Sequence, residues 1–517
     1  MLFNSPEFLF GFLPLVLGVY YLLARRSYRT ALNWLVLASL FFYSWWNPDY
    51  LLLIGGSILF NYTLARWMLQ RGADQRKGPL VLGICTNLAC IGYFKYAGFL
   101  STNLNTLLGT DLSTGAIVLP LAISFFTFQQ IAFLVDTYQG RVDESHFARY
   151  SLFVLFFPQL IAGPIVHHAE MMPQFERGRI PGELADNLNR GMTVFAIGLF
   201  KKIVLADSLA KIANPAFSLA ENAQAITTLD AWTGATAYTF QLYFDFSGYS
   251  DMALGLAIMF GIRLPLNFFS PYRSRSIIEF WRRWHMTLSR FLRDYLYIPL
   301  GGNRHGRSRR YMNLLITMLL GGLWHGAGWT FVLWGGLHGL FLVINHAWRR
   351  ILATANFSPL YALNRLLALP LTFFSVVLAW VYFRAESLEG ANFMLLAMFP
   401  LGESATVAGG FSPQMISAID SIPLLALFEP VAQLSATALG VASLLAAAFV
   451  AFCMPNTVEL MGSHHPALRA SVPELNRPPL VTLHWQANAR WALVIALLLL
   501  ACLANGATLS PFLYFQF

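Results

Sequence analysis

The sequence predicts an all-α polytopic membrane protein, and three observations support this fold class. Hydrophobic residues make up 57% of the 517 residues, whereas charged residues make up only 11%. The mean hydropathy is +0.56, well above that of soluble domains. Apolar stretches recur along the whole chain, and at roughly 20 residues per crossing we expect about ten to thirteen membrane helices. A single membrane domain over residues 1–517 accommodates them.

The charge balance fits a membrane protein better than a nucleic-acid-binding one. The net charge of +9 comes from 34 lysines and arginines against 25 acidic residues, and the excess of basic residues in cytoplasmic loops explains it. We therefore expect membrane lipids as partners and no nucleic acid. The four cysteines lack the spacing of zinc ligands, so no metal site is expected.

The first apolar run predicts a retained membrane helix. No basic residues precede it, and Arg25, Arg26 and Arg29 follow it directly, unlike the order in a cleaved signal peptide. These charges place the N-terminus in the periplasm and the basic loop in the cytoplasm. Charged and polar loops keep alternating through the next four apolar segments, at about 31–46, 50–69, 79–98 and 117–135.

The middle of the chain is less regular. Pro158 and Pro164 interrupt the apolar run 151–166, which predicts a broken or re-entrant segment rather than a straight crossing. Asp245 and Asp251 lie in apolar surroundings further on. Either they are functional carboxylates or they pair with arginines later in the chain, and we favour the pairing.

Residues 263–310 form a basic segment that we expect at the cytoplasmic face or in the interface. It holds eleven arginines against two acidic residues. Apolar residues spaced by three and four, from Trp281 through His285 to Tyr295, predict one amphipathic helix. Its arginines either meet anionic lipid headgroups or attract an anionic donor. The lipid interpretation leaves His285, in the apolar stripe, unexplained.

The stretch GGLWHGAG, residues 321–328, places His325 inside a long apolar run. A histidine there is either a packing residue or a functional one, because ionisable groups at membrane depth are costly to keep. From Arg310 to His325 is about 22 Å of helix at roughly 1.5 Å per residue, short of the ~30 Å hydrocarbon core. We therefore predict a helical hairpin over 311–347 with a buried apex. His338 and His346 are assigned to packing or hydrogen bonding.

The remaining residues predict further crossings at about 366–383, 436–453 and 490–508. A loop region precedes the second of these. A polar, proline-rich loop over 454–489 separates the last two crossings.

With these segments in place, the chain resembles the membrane-bound O-acyltransferase family, and within it the bacterial polysaccharide O-acetyltransferases. The matching stretches are LFNSPEFLFGFLPLVLGVYY, YFKYAGF, LPLAISFFTFQ, FFPQLIAGPI, QLYFDFSGYSDMALGL, EFWRRWHMTLSRFLRDYLYIPLGGNR, TMLLGGLWHGAGWTFVLWGGLHG, VYFRAE and SPFLYFQF. The resemblance implies the helical bundle of that family, with broken or re-entrant segments and an arginine-rich interfacial helix. It also implies that His325 in LWHGA is the catalytic histidine and His285 in RRWH the second one.

The resemblance further implies an inner-membrane O-acetyltransferase that modifies an exported polysaccharide of the alginate or cellulose type. Acetyl-CoA or another acyl donor would be a co-substrate, with no cofactor bound, and periplasmic acetyl-relay proteins would be partners. His325, kept neutral by burial, would act as general base. Substrate or donor binding is expected from Trp281, Arg282, Arg283, Trp284, Arg293, Asp294, Tyr297, Asn303, Arg304 and Trp324. The alternatives are a D-alanyl or other acyl transferase fed by a carrier protein and, with less support, a non-enzymatic transporter.

Overall fold

The computed structural model describes most of the chain, and its described residues are helical with no β-strand. The described ranges are 1–115, 117–143, 146–180, 182–354, 358–399, 410–422, 435–473, 478–505, 510 and 512–513. The all-α fold class is thus confirmed. Most of the closing stretch SPFLYFQF, which contributed to the resemblance, lies outside the described residues.

The chain divides into two compact units. The first comprises residues 1–195, 252–266 and 466–471, and the second comprises 196–251, 267–465 and 472–517. The division falls within two of the helices given below, α10 and α12.

The first unit is built from the N-terminal helices. They are α1 (Leu13–Ala24), α2 (Tyr28–Ser44), α3 (Tyr50–Leu69), α4 (Lys77–Ile91), α5 (Ala97–Leu108), α6 (Ile123–Tyr138), α7 (Phe147–Leu155), α8 (Phe157–Leu160), α9 (His168–Phe175), the first part of α10 (Leu184–Phe200) and, from the second half of the chain, the end of α12 (Thr228–Met259). π-Helical turns precede α1 at Glu7–Phe12 and α5 at Gly92–Tyr96.

Two expectations for the first unit can be compared with these bounds. The broken segment is confirmed, because α7 ends at Leu155 and α8 holds only four residues, with Pro158 in its first turn. The polar stretch after residue 98, expected as a loop, is helical as far as Leu108, where α5 ends, and non-helical over 109–115. In α5 the side chains of Thr102, Asn103 and Thr106 donate to backbone carbonyls of the preceding turn, for example Thr102 to Gly98 at 3.0 Å, so they do not need water to satisfy them.

The second unit contains the remaining helices. They are α11 (Asp207–Glu221), the first part of α12, α13 (Ile277–Trp281), α14 (Met286–Leu292), α15 (Gly306–His325), α16 (Trp329–Thr354), α17 (Ser358–Arg384), α18 (Leu388–Met398), α19 (Pro413–Asp420), α20 (Ala436–Cys453), α21 (Thr457–Met461) and α22 (Ala489–Asn505). π-Helical turns lie at Lys201–Ala206 and Arg293–Tyr297.

The two buried carboxylates of α12 pair with lysines, not with the arginines we expected. An oxygen of Asp245 lies 2.8 Å from Nζ of Lys202, and an oxygen of Asp251 lies 2.6 Å from Nζ of Lys201. Both lysines belong to the π-helical turn after α10. Asp245, Gly248 and Asp251 recur every three residues on one face of α12. A Cβ on Gly248 would lie 2.7 Å from a backbone oxygen of α10, so this glycine permits the close approach that selects the lysines.

Five helical stretches in the described part of the chain are long and apolar enough to span a membrane. They are Glu7–Ala24, Tyr50–Leu69, Ala73–Leu108, Trp329–Thr354 and Pro359–Arg384. A sixth is added if Thr437–Cys453 and Thr457–His464, which meet at a bend of 54°, form one span. The protein is therefore a multi-pass membrane protein. The larger number of ten to thirteen crossings stays a prediction.

Candidate active site

The hairpin predicted around His325 is present in the second unit. α15 ends at His325 and α16 begins at Trp329, so only Gly326 to Gly328 form the turn. A Cβ on Gly326 would lie 2.1 Å from the ring of Phe331, so this turn requires a residue without a side chain. The histidine is consequently held at the end of a helix of 20 residues.

The His325 side chain lies in a cluster of aromatic rings. It is 5% exposed, and its ring stands edge-on to Trp334 at 5.0 Å and to Phe383 at 5.2 Å between centroids. Trp334 in turn stacks on Trp380 at 5.5 Å. These rings come from α16 and α17, so three successive helices fix the position of the imidazole.

His285 lies at a break in the arginine-rich segment. We expected one continuous helix through this residue, but α13 ends at Trp281 and α14 starts at Met286. His285 itself has left-handed backbone, with φ 41° and ψ 53°, which is uncommon for a residue other than glycine. The Met286 N–H, freed by the break, donates to the backbone oxygen of Asn267 at 2.9 Å. This hydrogen bond to a backbone segment that is distant in sequence therefore outweighs the local preference for a helix.

The side chain of Asn267 fixes the tautomer of His285. Its Oδ1 accepts hydrogen bonds from the backbone N–H and the hydroxyl of Thr287, at 3.4 and 2.9 Å. Because an N–H can only donate, the amide atom that faces it is the oxygen. The same Oδ1 lies 3.0 Å from Nδ1 of His285. Nδ1 must therefore carry the hydrogen, and Nε2 must present its lone pair.

The two imidazoles are neighbours, although 40 residues separate them in the chain. Their ring centroids are 6.3 Å apart, with the planes inclined by 64°. Burial lowers the pKa of His285 to about 3, so this ring is neutral at physiological pH. A neutral ring with hydrogen on Nδ1 can only accept at Nε2, so His285 cannot donate to an oxyanion from that atom. Because so low a pKa makes His285 a weak base, His325 is the better candidate for proton transfer.

Three predicted tryptophans join the rings around the histidines. Trp324 contacts His325 at 4.9 Å and His285 at 6.2 Å. Trp281 stands edge-on to Trp334 at 5.9 Å. Trp284 is 3% exposed and packs on Trp380 at 4.9 Å. Trp324 thus contacts both histidines, whereas Trp281 and Trp284 contact Trp334 and Trp380 of the same aromatic cluster.

The predicted charged and polar residues are not gathered at the histidines. Arg283 pairs with Glu279 at 2.8 Å, and Arg293 pairs with Asp294 at 2.7 Å. Exposed positions are occupied by Arg282, Asn303 and Arg304, while Tyr297 is half-buried in a π-helical turn. Within the described residues, none of these seven predicted residues makes a ring contact or hydrogen bond with either histidine.

Sequence reasoning missed three residues of this site. Asn267 fixes the His285 ring, and Trp334 and Phe383 contact His325 directly. Trp334 lies in the second helix of the predicted hairpin and Phe383 in the next predicted crossing, so the helical spacing of aromatic residues could have indicated them. Asn267 lies 18 residues before His285 in a segment without regular spacing, and no pattern in the sequence points to it.

Comparisons with known proteins show the family of this chain. Residues 141–384 match the membrane-bound O-acyltransferase family. The chain belongs to this family. It is accordingly an O-acyltransferase, and the matched range contains both histidines and most of the helices that hold them.

Individual relatives extend the match beyond that range. A peptidoglycan O-acetyltransferase of Helicobacter pylori is 47% identical over 429 residues, which cover 78% of this chain and 80% of the relative. A probable alginate O-acetylase of Pseudomonas putida is 40% identical over 525 residues, covering 100% of both chains. A teichoic acid D-alanyltransferase of Streptococcus thermophilus is 32% identical over 46% of this chain and 59% of that protein.

Proposed function

We propose that this membrane O-acyltransferase transfers acetyl groups from a cytoplasmic donor, acetyl-CoA, to an acceptor hydroxyl at the far side of the inner membrane, for O-acetylation of an exported polysaccharide. The observation that carries the proposal is the placement of His325 at the end of α15, beside a neutral His285. The relatives named for O-acetyl transfer support acetyl as the acyl group, since they match most or all of this chain. The D-alanyltransferase matches less than half of it.

In this mechanism His325 takes the proton from the acceptor hydroxyl as its oxygen attacks the thioester carbonyl. The new C–O ester bond forms, the C–S bond breaks, and the thiol leaves with the proton that His325 returns. His285 orients a neighbouring group by accepting its hydrogen bond at Nε2. The aromatic rings around both histidines keep water away from the thioester.

The acceptor is either the polysaccharide itself or a hydroxyl of a periplasmic relay protein. The names of the relatives support alginate or peptidoglycan as the final polymer and add no support for cellulose. The basic loops support a periplasmic N-terminus, which protease accessibility of a tag placed before Met1 in spheroplasts would test.

The test replaces His325 in cells that export the polysaccharide. We expect His325→Ala and His325→Gln to lower the acetyl ester content of the polymer by about a hundredfold or more, as expected for loss of a general base. Mass spectrometry of the secreted polymer measures the loss and identifies the acyl group. His464→Gln is the matched control, because the ring of His464 packs against Trp485 at 5.0 Å, a ring that is not part of the cluster described around His325.

Two outcomes would contradict the proposal. If His325→Ala protein is inserted normally and the polymer keeps its acetyl esters, His325 is not the base. If the wild-type protein adds D-alanyl esters instead, the acyl donor is a different one.

A further inference from the structure

A groove lies between α16 and α17, the two longest apolar helices of the second unit. Its volume is about 300 Å³, at the lower end of the range for pockets that bind small molecules. Apolar residues from α13, α16 and α17 make up most of its lining, including Ile277, Phe341, Ile344 and Leu371. Both Ile344 and Leu371 are more than half exposed. Since both long helices are candidate membrane spans, the groove opens toward lipid.

A basic cluster lies at the cytoplasmic end predicted for α16. Arg349 follows Asn345, a groove residue, by one helical turn on the same face. His346, between them in sequence, has both ring nitrogens within 2.9 Å of Nη2 of Arg310. Arg349 and Arg282 also lie close enough to His346 to act on it electrostatically. Arg310 thus contacts the imidazole of His346, and Arg349 and Arg282 lie near it.

These arginines have no acidic counterpart nearby. Between residues 295 and 385 the sequence contains eight arginines and no aspartate or glutamate. In the described part of the chain, the ion pairs nearest in sequence are Arg283 with Glu279 and Arg293 with Asp294. None of the described carboxylates lies within ion-pair distance of Arg282, Arg310 or Arg349. The cluster is thus a concentration of positive charge that a bound anion would neutralise.

The N-terminus of α15 adds to the same positive field. Its first turns carry Arg307, Arg309 and Arg310 and no acidic residue. The helix dipole is positive at this end, so arginines there raise the local potential instead of opposing it. An anion is favoured for two independent reasons, the dipole and the uncompensated guanidinium groups.

We propose that an anionic phospholipid binds here, with its phosphate on Arg310 and Arg349 and an acyl chain in the groove between α16 and α17. Guanidinium groups match phosphate geometry well, and basic pockets between membrane helices bind anionic headgroups. A soluble phosphate would use the arginines alone. The mainly apolar groove, whose lining residue Asn345 lies one turn before Arg349, favours a ligand that also has a hydrocarbon chain.

The test uses the full-length protein in nanodiscs of phosphatidylglycerol and phosphatidylcholine in equal amounts. Mass spectrometry of the lipids retained after detergent extraction measures the preference. We expect the wild-type protein to retain phosphatidylglycerol, and Arg310→Gln with Arg349→Gln to reduce its retention by about twenty-five-fold, at about fivefold per arginine. The matched control, Arg25→Gln with Arg26→Gln, removes the same charge from a loop of the first unit and should change retention less than twofold.

A second variant tests the groove separately. Ser375 lines it, and Ser375→Phe should fill it and weaken phosphatidylglycerol retention while leaving all arginines in place. If the arginine variant retains phosphatidylglycerol like the wild type, no anionic lipid site exists here. If Ser375→Phe has no effect and free coenzyme A displaces the bound anion, the arginines bind a soluble phosphate instead, and the lipid proposal is wrong. The inactive His325→Ala protein should still retain the lipid, so this result does not depend on the proposed function.

Discussion

His285 and His338 are both fully buried histidines of the second unit, yet their surroundings differ in kind. His338 lies in the middle of α16 among aromatic rings, 5.0 Å from Trp334 and 5.1 Å from Trp281. Neither of its nitrogens has a hydrogen-bond partner among the described residues. His285 lies at a helix break, and its Nδ1 lies 3.0 Å from Oδ1 of Asn267.

The difference shows what separates a packed histidine from one prepared for chemistry. Ring contacts fill space and leave the position of the imidazole hydrogen undecided. A fixed acceptor such as the amide oxygen of Asn267 decides it and gives the remaining nitrogen one role. His338 agrees with the packing that we expected for it, whereas His285 has the support that a functional group needs.

The largest expected effect comes from replacing His285 by a ring without nitrogens, with the same change at His338 as the comparison. We expect His285→Phe to lower acyl transfer by about a hundredfold, since it removes the lone pair at Nε2 that orients a neighbouring group, and misplacement of a reacting group can cost that much. His338→Phe keeps the packing of an aromatic ring and should change the rate about twofold. Acetyl ester content of the polymer measures both. Equal losses in the two variants would show that His285 is only a packing residue.

An intermediate effect is expected at Asn267. Asn267→Leu removes the acceptor that holds Nδ1–H, so both tautomers of His285 become populated and the rate falls about tenfold. Asn267→Asp keeps an acceptor oxygen and restores the tautomer, which nitrogen chemical shifts of the labelled ring would report. A merely structural role would leave the tautomer unaffected by either change.

The aspartate variant also predicts a pH dependence with a definite sign. In the wild-type protein burial lowers the pKa of His285 to about 3, so its protonation does not reduce the rate above about pH 4. A carboxylate beside Nδ1 favours the charged ring and raises this pKa. The Asn267→Asp rate should therefore fall as the pH falls, beginning at a higher pH than in the wild type. A pH–rate profile that matches the wild type would contradict this role of Asn267.

The smallest effect is expected at Thr287, the other hydrogen-bond partner of the Asn267 side-chain amide. Thr287→Val removes the hydroxyl that donates to Asn267 Oδ1 at 2.9 Å. It should cost about 1 kcal/mol of stability and lower the rate by less than Asn267→Leu does. Thr239→Val is the control, because its buried hydroxyl donates only to the carbonyl of Ala235 in its own helix. Thermal unfolding in detergent compares the stabilities of the two variants. A loss of acyl-transfer rate in the control variant alone would contradict the role of Thr287.

The helical hairpin could be predicted because its evidence is local. Glycines next to His325 and the short distance from Arg310 both constrain α15 within a few turns. The break at His285 could not be predicted, since apolar residues keep helical spacing on both sides of it. There the N–H of Met286 bonds to the backbone of Asn267, and this contact between distant residues overrides the periodic pattern.

Partner choice among charged residues was equally inaccessible to the sequence. The apolar surroundings of Asp245 indicated a buried ion pair, which is present, but not whether lysine or arginine would form it. The arginines expected to bind a donor illustrate the same point. Arg283 forms an ion pair with Glu279. Arg282 instead belongs to a basic cluster with Arg310 and Arg349, and only the packing of α13, α15 and α16 brings these three arginines together.

The sequence by itself determined that this protein is a polytopic helical membrane protein with a histidine at a buried hairpin apex. Composition and periodicity suffice for that, because the backbone hydrogen bonds of a helix are formed within the helix itself. The hydropathy of its residues then indicates whether lipid or water surrounds it. Only the tertiary structure decided that His325 and His285 are 6.3 Å apart and that Asn267 fixes one tautomer. Those features depend on side chains far apart in the chain, whose distances follow from how the helices pack.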